Sequence, residues 1–230
     1  MNVLKCWFLV VASTVFSGIF SVDAQNFGSV NSGPSFAKQG SHWLNLNLGL
    51  SFMNPNAANF DDPFLMTGEN RRNFGIIAQP KFQVFIKDRL GVGFHLGTAF
   101  EEFENEEISF KQNKNNYFAG VQGEYYFLNL NDFFLMSSEL DLGYHWMQQK
   151  VNTAASEINT SSSNYLKAGL SVNLNFVLHD DWVFYAKFFD VLSYTSSENN
   201  FFDYSKGLQL NNSLENFVNF PQFGVLWKLF

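Results

Sequence analysis

The stretch SHWLNLNLGLSF, residues 41–52, alternates with a period of two, placing Leu44, Leu46, Leu48, Leu50 and Phe52 on one face and Asn45, Asn47, Gly49 and Ser51 on the other. Such alternation specifies a β-strand with one apolar and one polar face. Eight segments share it: 41–52, 73–86, 90–103, 116–128, 133–147, 164–178, 182–194 and 216–230. In the second, the apolar face is Phe74, Ile76, Ala78, Pro80, Phe82 and Val84; in the third, Leu90, Val92, Phe94, Leu96, Thr98 and Phe100. In the sixth it runs from Leu166 through Ala168, Leu170, Val172, Leu174 and Phe176 to Leu178. The pattern leaves one question open, which is whether the apolar faces meet a soluble core or lipid.

The connections alternate in length. KDR (87–89), NLND (129–132) and HDD (179–181) suit tight turns, whereas 53–72, 104–115, 148–163 and 195–215 read as long polar loops. This predicts an up-and-down antiparallel meander with short turns at one end and long loops at the other, the loop asymmetry of transmembrane barrels. The predicted fold is an all-β, eight-stranded up-and-down antiparallel transmembrane β-barrel.

The polar faces argue that water is excluded from the outside rather than the inside. They carry Gly91, Gly93, Gly97, Ala99, Gly120, Ser137, Gly143, Gly169, Ser171, Asn173 and Asn175, small or neutral residues suited to a lumen only just wide enough for its own side chains. Counted from the nearest short turn, Lys81, His95, Glu124 and Lys187 lie about seven residues away, Glu139 about eight and Asp141 about ten. A mutually neutralising network of these six is expected at mid-height, because an unpaired charge in such a site costs several kcal/mol. Aromatic residues fall in two belts, as membrane interfaces select. Trp43, Phe85, Tyr125, Phe127, Phe134, Trp182 and Phe184 lie near the short turns, and Phe74, Phe100, Tyr117, Tyr144, Trp146 and Tyr194 near the long loops.

The start of the chain reads differently. Lys5, the apolar run Cys6–Phe20 and the small-residue site Val22-Asp23-Ala24 before Gln25 form a signal-peptide pattern. The expected organisation is residues 1–24 as signal peptide, 25–40 (QNFGSVNSGPSFAKQG) as a flexible periplasmic leader and 41–230 as the barrel. Cys6 is the sole cysteine, so the mature chain would hold no disulfide, cysteine metal site or cysteine nucleophile. The net charge of -7 argues against a nucleic-acid partner. Although 46% of residues are hydrophobic and 29 are phenylalanine, they are dispersed at alternate positions rather than gathered into a spanning helix, so a membrane form must be a barrel.

Residues 41–230 resemble the small outer-membrane β-barrel proteins of Gram-negative bacteria, the family of OmpX, the OmpA membrane domain and the PorT-like barrels of Bacteroidota. The resemblance rests on architecture and on the last segment, FVNFPQFGVLWKLF, ending in Phe230. It implies that Phe230 is the aromatic signal read by the barrel assembly machinery. It departs from the family in phase, since Phe223, Val225, Trp227 and Leu229 share one face and Phe230 falls with Lys228 on the other. Gln25 after Ala24 is similar to signal-peptide ends of Bacteroidota.

Some barrels of this size are lipid A-modifying hydrolases, which need a Ser-His-acid group at the outer rim. Of His42, His95, His145 and His179, only His145 lies near that rim, and its phase points it into the lumen. The acidic run Glu101, Glu102, Glu104, Glu106 and Glu107 is read first as a solvated loop, with cation bridging to lipopolysaccharide as the alternative. No catalytic residue, cofactor or metal ligand is assigned. The expected role is a non-enzymatic integral outer-membrane protein, embedded in lipid and lipopolysaccharide. Its long extracellular loops would bind an envelope or host protein or serve envelope assembly, secretion included. The alternatives are the lipid A-modifying hydrolase and a soluble lipocalin-like carrier.

Overall fold

The computed structural model describes residues 37–51, 71–105, 109–131, 133–153, 156–201, 206–211 and 221–230. The predicted signal peptide, most of the leader and the connection at 52–70 lie outside them. The described chain forms nine strands: β1 (His42–Ser51), β2 (Arg71–Lys87), β3 (Leu90–Asn105), β4 (Phe110–Asn131), β5 (Phe134–Thr153), β6 (Ser156–His179), β7 (Trp182–Thr195), β8 (Gly207–Leu210) and β9 (Gln222–Lys228). Each of β1 to β7 pairs antiparallel with the next, β7 pairs with β9, and β9 returns to β1. The pairings therefore close a ring. β8 and β9 occupy successive stretches of the same edge of β7, Leu192–Thr195 and Trp182–Lys187, so nine strands make eight staves.

Two predicted long loops are strand instead. β4 begins at Phe110 and β5 runs to Thr153, so 104–115 and 148–163 are largely β-ladder, with registers such as Lys114↔Gln149 and Lys150↔Thr160. Their polar, weakly alternating sequence conceals the strand, because a ladder polar on both faces has no apolar face to declare it. β8, within the predicted 195–215 loop, is a third departure. With 22, 20 and 24 residues, β4, β5 and β6 far exceed the roughly 9–11 residues a bilayer-spanning strand needs, so they continue beyond any membrane.

Side-chain direction answers the question raised by residues 41–52. Leu46 and Leu48 are 46% and 48% exposed on the outside, while Asn45 and Asn47 are 2% and 0% exposed inside. The same inversion holds around the ring: Val92, Phe94 and Leu96 point out and His95 points in; Leu142, Tyr144 and Trp146 point out and His145 and Met147 point in. On β3 the apolar outward face runs from Leu90 to Phe100, and Glu102 follows, paired with Lys111 at 3.1 Å. Eleven residues at ~3.3 Å each, tilted by roughly 35–45°, give a band about 26–30 Å tall, close to the ~25 Å apolar band of outer-membrane barrels.

Glycines make the interior fit. A Cβ at Gly224 would collide with Tyr185, its direct partner across β7–β9, and one at Gly97 would collide with Phe118, its partner across β3–β4. Large inward side chains thus lie over the glycines of the neighbouring strand, which is how a narrow lumen reaches interior packing density.

Candidate functional site, a side-chain-filled lumen

The lumen is built in three layers. Nearest the short turns, Ala37, Trp43, Phe85, Tyr126, Leu135, Val183, Tyr185 and Leu226 form an apolar floor. Trp43 and Phe85 are thus lumenal, 0% and 1% exposed, not members of the outer belt predicted for them. They share the inward parity of Asn45 and Gln83, and alternation overrides aromatic character. Residues 37–40 of the predicted leader, with Ser41, tie this floor down: the Arg89 N–H donates to the Ala37 carbonyl at 2.9 Å, the Gln39 N–H to Asp88 at 2.8 Å, and the Trp43 Nε1–H to Ser41 Oγ at 3.1 Å.

Charge occupies the middle layer. Lys81 Nζ donates to both Glu139 oxygens at 2.7 and 2.8 Å, and Lys187 Nζ donates to Glu139 Oε1 at 2.9 Å, joining β2, β5 and β7 across the lumen. These three groups are each 1–2% exposed. Glu124 lies beside the triad as the direct partner of Glu139 across β4–β5, and its Oε1 accepts from Ser137 Oγ at 2.6 Å and Asn173 Nδ2 at 3.1 Å. His95 is buried with its ring edge-on to Phe118 at 6.0 Å, within electrostatic reach of Asp141, Lys81, Glu139 and Lys187. Asp141 lies over Gly169 beside Asp190, where a Cβ would meet both carboxylates.

Asp190 and its partner Lys167, 2.5 Å apart and both buried, are a second ion pair absent from the sequence reading. Lys167 had a legible signal, since it shares the parity of Gly169, Ser171 and Asn173. Asp190 had none, because its parity is opposite to inward Val183, Tyr185 and Lys187. A bulge opposes residues 189–191 of β7 to Ser171 alone, and Asp190 adopts a φ of 43° there, which turns its side chain inward. The Asp190 N–H donates to Ser171 Oγ at 3.3 Å, and Asn211 Nδ2 donates to its carbonyl at 2.9 Å.

The third layer, toward the long strands, is apolar again: Ile77, Ala99, Phe118, Met147, Tyr165 and Phe201. The charged network thus lies between two apolar clusters within the lumen. His145 is sandwiched between Phe118 and Tyr165, at 5.0 and 4.7 Å between centroids, with its Nδ1 2.9 Å from Asn116 Nδ2. Phe201 closes over this stack, its N–H donating to Tyr165 Oη at 3.1 Å.

At the rims, the acidic run is strand rather than loop where it is described: Glu102 pairs with Lys111, and Glu101 with Lys114 at 3.7 Å, while Glu106 and Glu107 lie outside the described residues. At the other end, β9 stops at Lys228. Phe230 leaves strand geometry, and its ring lies 4.6 Å from that of outward-facing His42, itself 6.0 Å from Phe82. The phase conflict at Phe230 is resolved by this departure, which returns the ring to the outer face. The His42 N–H donates to the Phe230 carbonyl at 3.0 Å and the Leu229 N–H to the His42 carbonyl at 2.8 Å.

No protein-family model and no curated protein matches the chain. Solved structures similar to it include Ail, the attachment invasion locus protein of Yersinia pestis, at 13% identity over 83% of this chain and 96% of that one, with a TM-score of 0.40. The N-terminal β-barrel domain of Pseudomonas aeruginosa OprF is 10% identical over 83% and 98%, with a TM-score of 0.41. Neisserial surface protein A is 11% identical over 83% and 100%, with a TM-score of 0.37.

Proposed function

We propose that the protein is a non-enzymatic integral outer-membrane barrel, with its termini and short turns in the periplasm and its long strands reaching outside the cell. One observation carries this reading: the ring is inside out, with leucine, phenylalanine and valine on its surface and lysine, glutamate and asparagine within. Such a surface is stable only where the surroundings are apolar. A carrier is disfavoured because both lumen ends are filled by packed side chains. A hydrolase centred on His145 is disfavoured because that ring is held inside an aromatic stack, away from the lipid-facing rim.

The portions of β3 to β6 beyond the apolar band, with their connections, are the binding platform for an envelope or host protein, and a secretion-linked role of the PorT-like kind is one form of it. Lipid and lipopolysaccharide surround the band. Phe230, brought to the outer face beside His42, serves the assembly machinery as the terminal aromatic signal. The test is extraction and gel mobility. The protein is expected to resist carbonate extraction from outer membranes and to run as two bands in SDS, unboiled and boiled. Recovery in the soluble fraction without detergent, with a single band, refutes the membrane reading.

A further inference from the structure

We propose that the rim of the barrel beside the Trp182–Trp227 pair holds the headgroup of a zwitterionic phospholipid. This rests on the membrane reading above and adds to it a specific lipid site. Trp182 and Trp227 are direct partners across β7–β9, and their indoles lie parallel, 9° apart in plane and 5.4 Å between centroids. Both are on the outward face, 43% and 47% exposed, at the short-turn edge of the apolar band. Beside them is a cleft of about 370 Å³ lined by Asp181, Trp182, Trp227, Lys228, Leu229 and Phe230. Asp181 and Lys228 contribute one acidic and one basic residue to this lining, and the Lys228 N–H donates to the Asp181 carbonyl at 3.0 Å, tying the two backbones together at the rim.

That charge pattern selects the occupant. A phosphate gains from the Lys228 ammonium, and the headgroup's own ammonium gains from the Asp181 carboxylate and from an indole face. An anionic lipid that carries only the phosphate would meet Lys228 but also Asp181 without compensation. His179 Nδ1 lies 3.7 Å from one Asp181 oxygen, so the histidine shares but does not enclose that carboxylate. Leu229 and Phe230 supply the apolar side of the cleft, where the glycerol and upper acyl chain would rest. The height matches too, because indoles settle at the headgroup level.

The experiment is native mass spectrometry of the full detergent-solubilised barrel with phosphatidylethanolamine or phosphatidylglycerol of identical acyl chains. Phosphatidylethanolamine should be retained about fivefold better, the scale of one surface charge interaction. Asp181→Asn should bring the two lipids level, Lys228→Gln should lower retention of both, and Glu104→Gln at the opposite end should change neither. Variants are scored only where the unboiled gel band shows a folded barrel. Equal retention by the unmodified protein, or a preference that survives Asp181→Asn and Lys228→Gln, overturns the site while leaving the membrane reading intact. Solubility without detergent overturns both.

Discussion

Replacing Glu139 by glutamine is the sharpest perturbation of the lumen. The Glu139 carboxylate lies between Lys81 and Lys187, with contacts of 2.7 to 2.9 Å, and all three groups are at most 2% exposed. Glutamine preserves the shape but leaves two buried ammoniums with one neutral acceptor. Removing one partner of a buried ion pair costs about 3–5 kcal/mol, because the remaining charge has been taken out of water without compensation. Two stranded lysines place the expected loss at the upper end of that range. Glu124, held by Ser137 and Asn173, reduces but does not cancel it. Against a total stability of roughly 5–15 kcal/mol, the variant should unfold at much lower urea, read by tryptophan fluorescence in lipid vesicles. The variant Lys81→Met, Glu139→Leu, Lys187→Met should recover most of the loss, since apolar replacement of a whole buried network is often neutral or favourable. A loss below about 1 kcal/mol for Glu139→Gln, or a triple variant no better than the single, would refute the reasoning.

Leu96→Arg, in the middle of the outward face of β3, should cost about 2–4 kcal/mol in bilayers by urea titration. The same assay should show Trp43→Ala losing about 3–5 kcal/mol, as a filled floor becomes a cavity, and Trp227→Ala losing less, because its ring is half exposed at the rim. Gly224→Leu should cost about 1–3 kcal/mol or abolish the folded gel band, because the new side chain must displace the Tyr185 ring; Tyr185→Ala in the same chain should relieve it.

Much of this architecture was legible wherever alternation ran against an apolar environment. Leu44 to Leu50, Val92 to Phe100 and Leu166 to Leu178 declare both their strands and their outward face, and Lys81, Glu124, Glu139 and Lys187 follow by parity. Sequence reading failed where that contrast is missing. Residues 111–115 and 148–150 are polar on both faces and read as loop, although they are laddered. Trp43 and Phe85 have the aromatic character of an interface belt but the parity of Asn45 and Gln83, and parity decides their inward direction. Asp190 was illegible for a different reason: the bulge that inverts its direction depends on β6 supplying one residue where β7 supplies three, a pairing fact with no local sequence signature. The departure of Phe230 from its strand likewise becomes intelligible only once its carbonyl is seen accepting the His42 N–H.

The central claim is that the apolar face meets lipid and the polar face does not. Nitroxide labels on Leu96→Cys and Asn47→Cys, each in a chain carrying Cys6→Ser and reconstituted in vesicles, test it directly. The account predicts that the label at position 96 collides readily with oxygen and hardly at all with a water-soluble nickel chelate, while the label at position 47 is shielded from both. A label at position 96 that the nickel chelate reaches as freely as one on an exposed turn would contradict it.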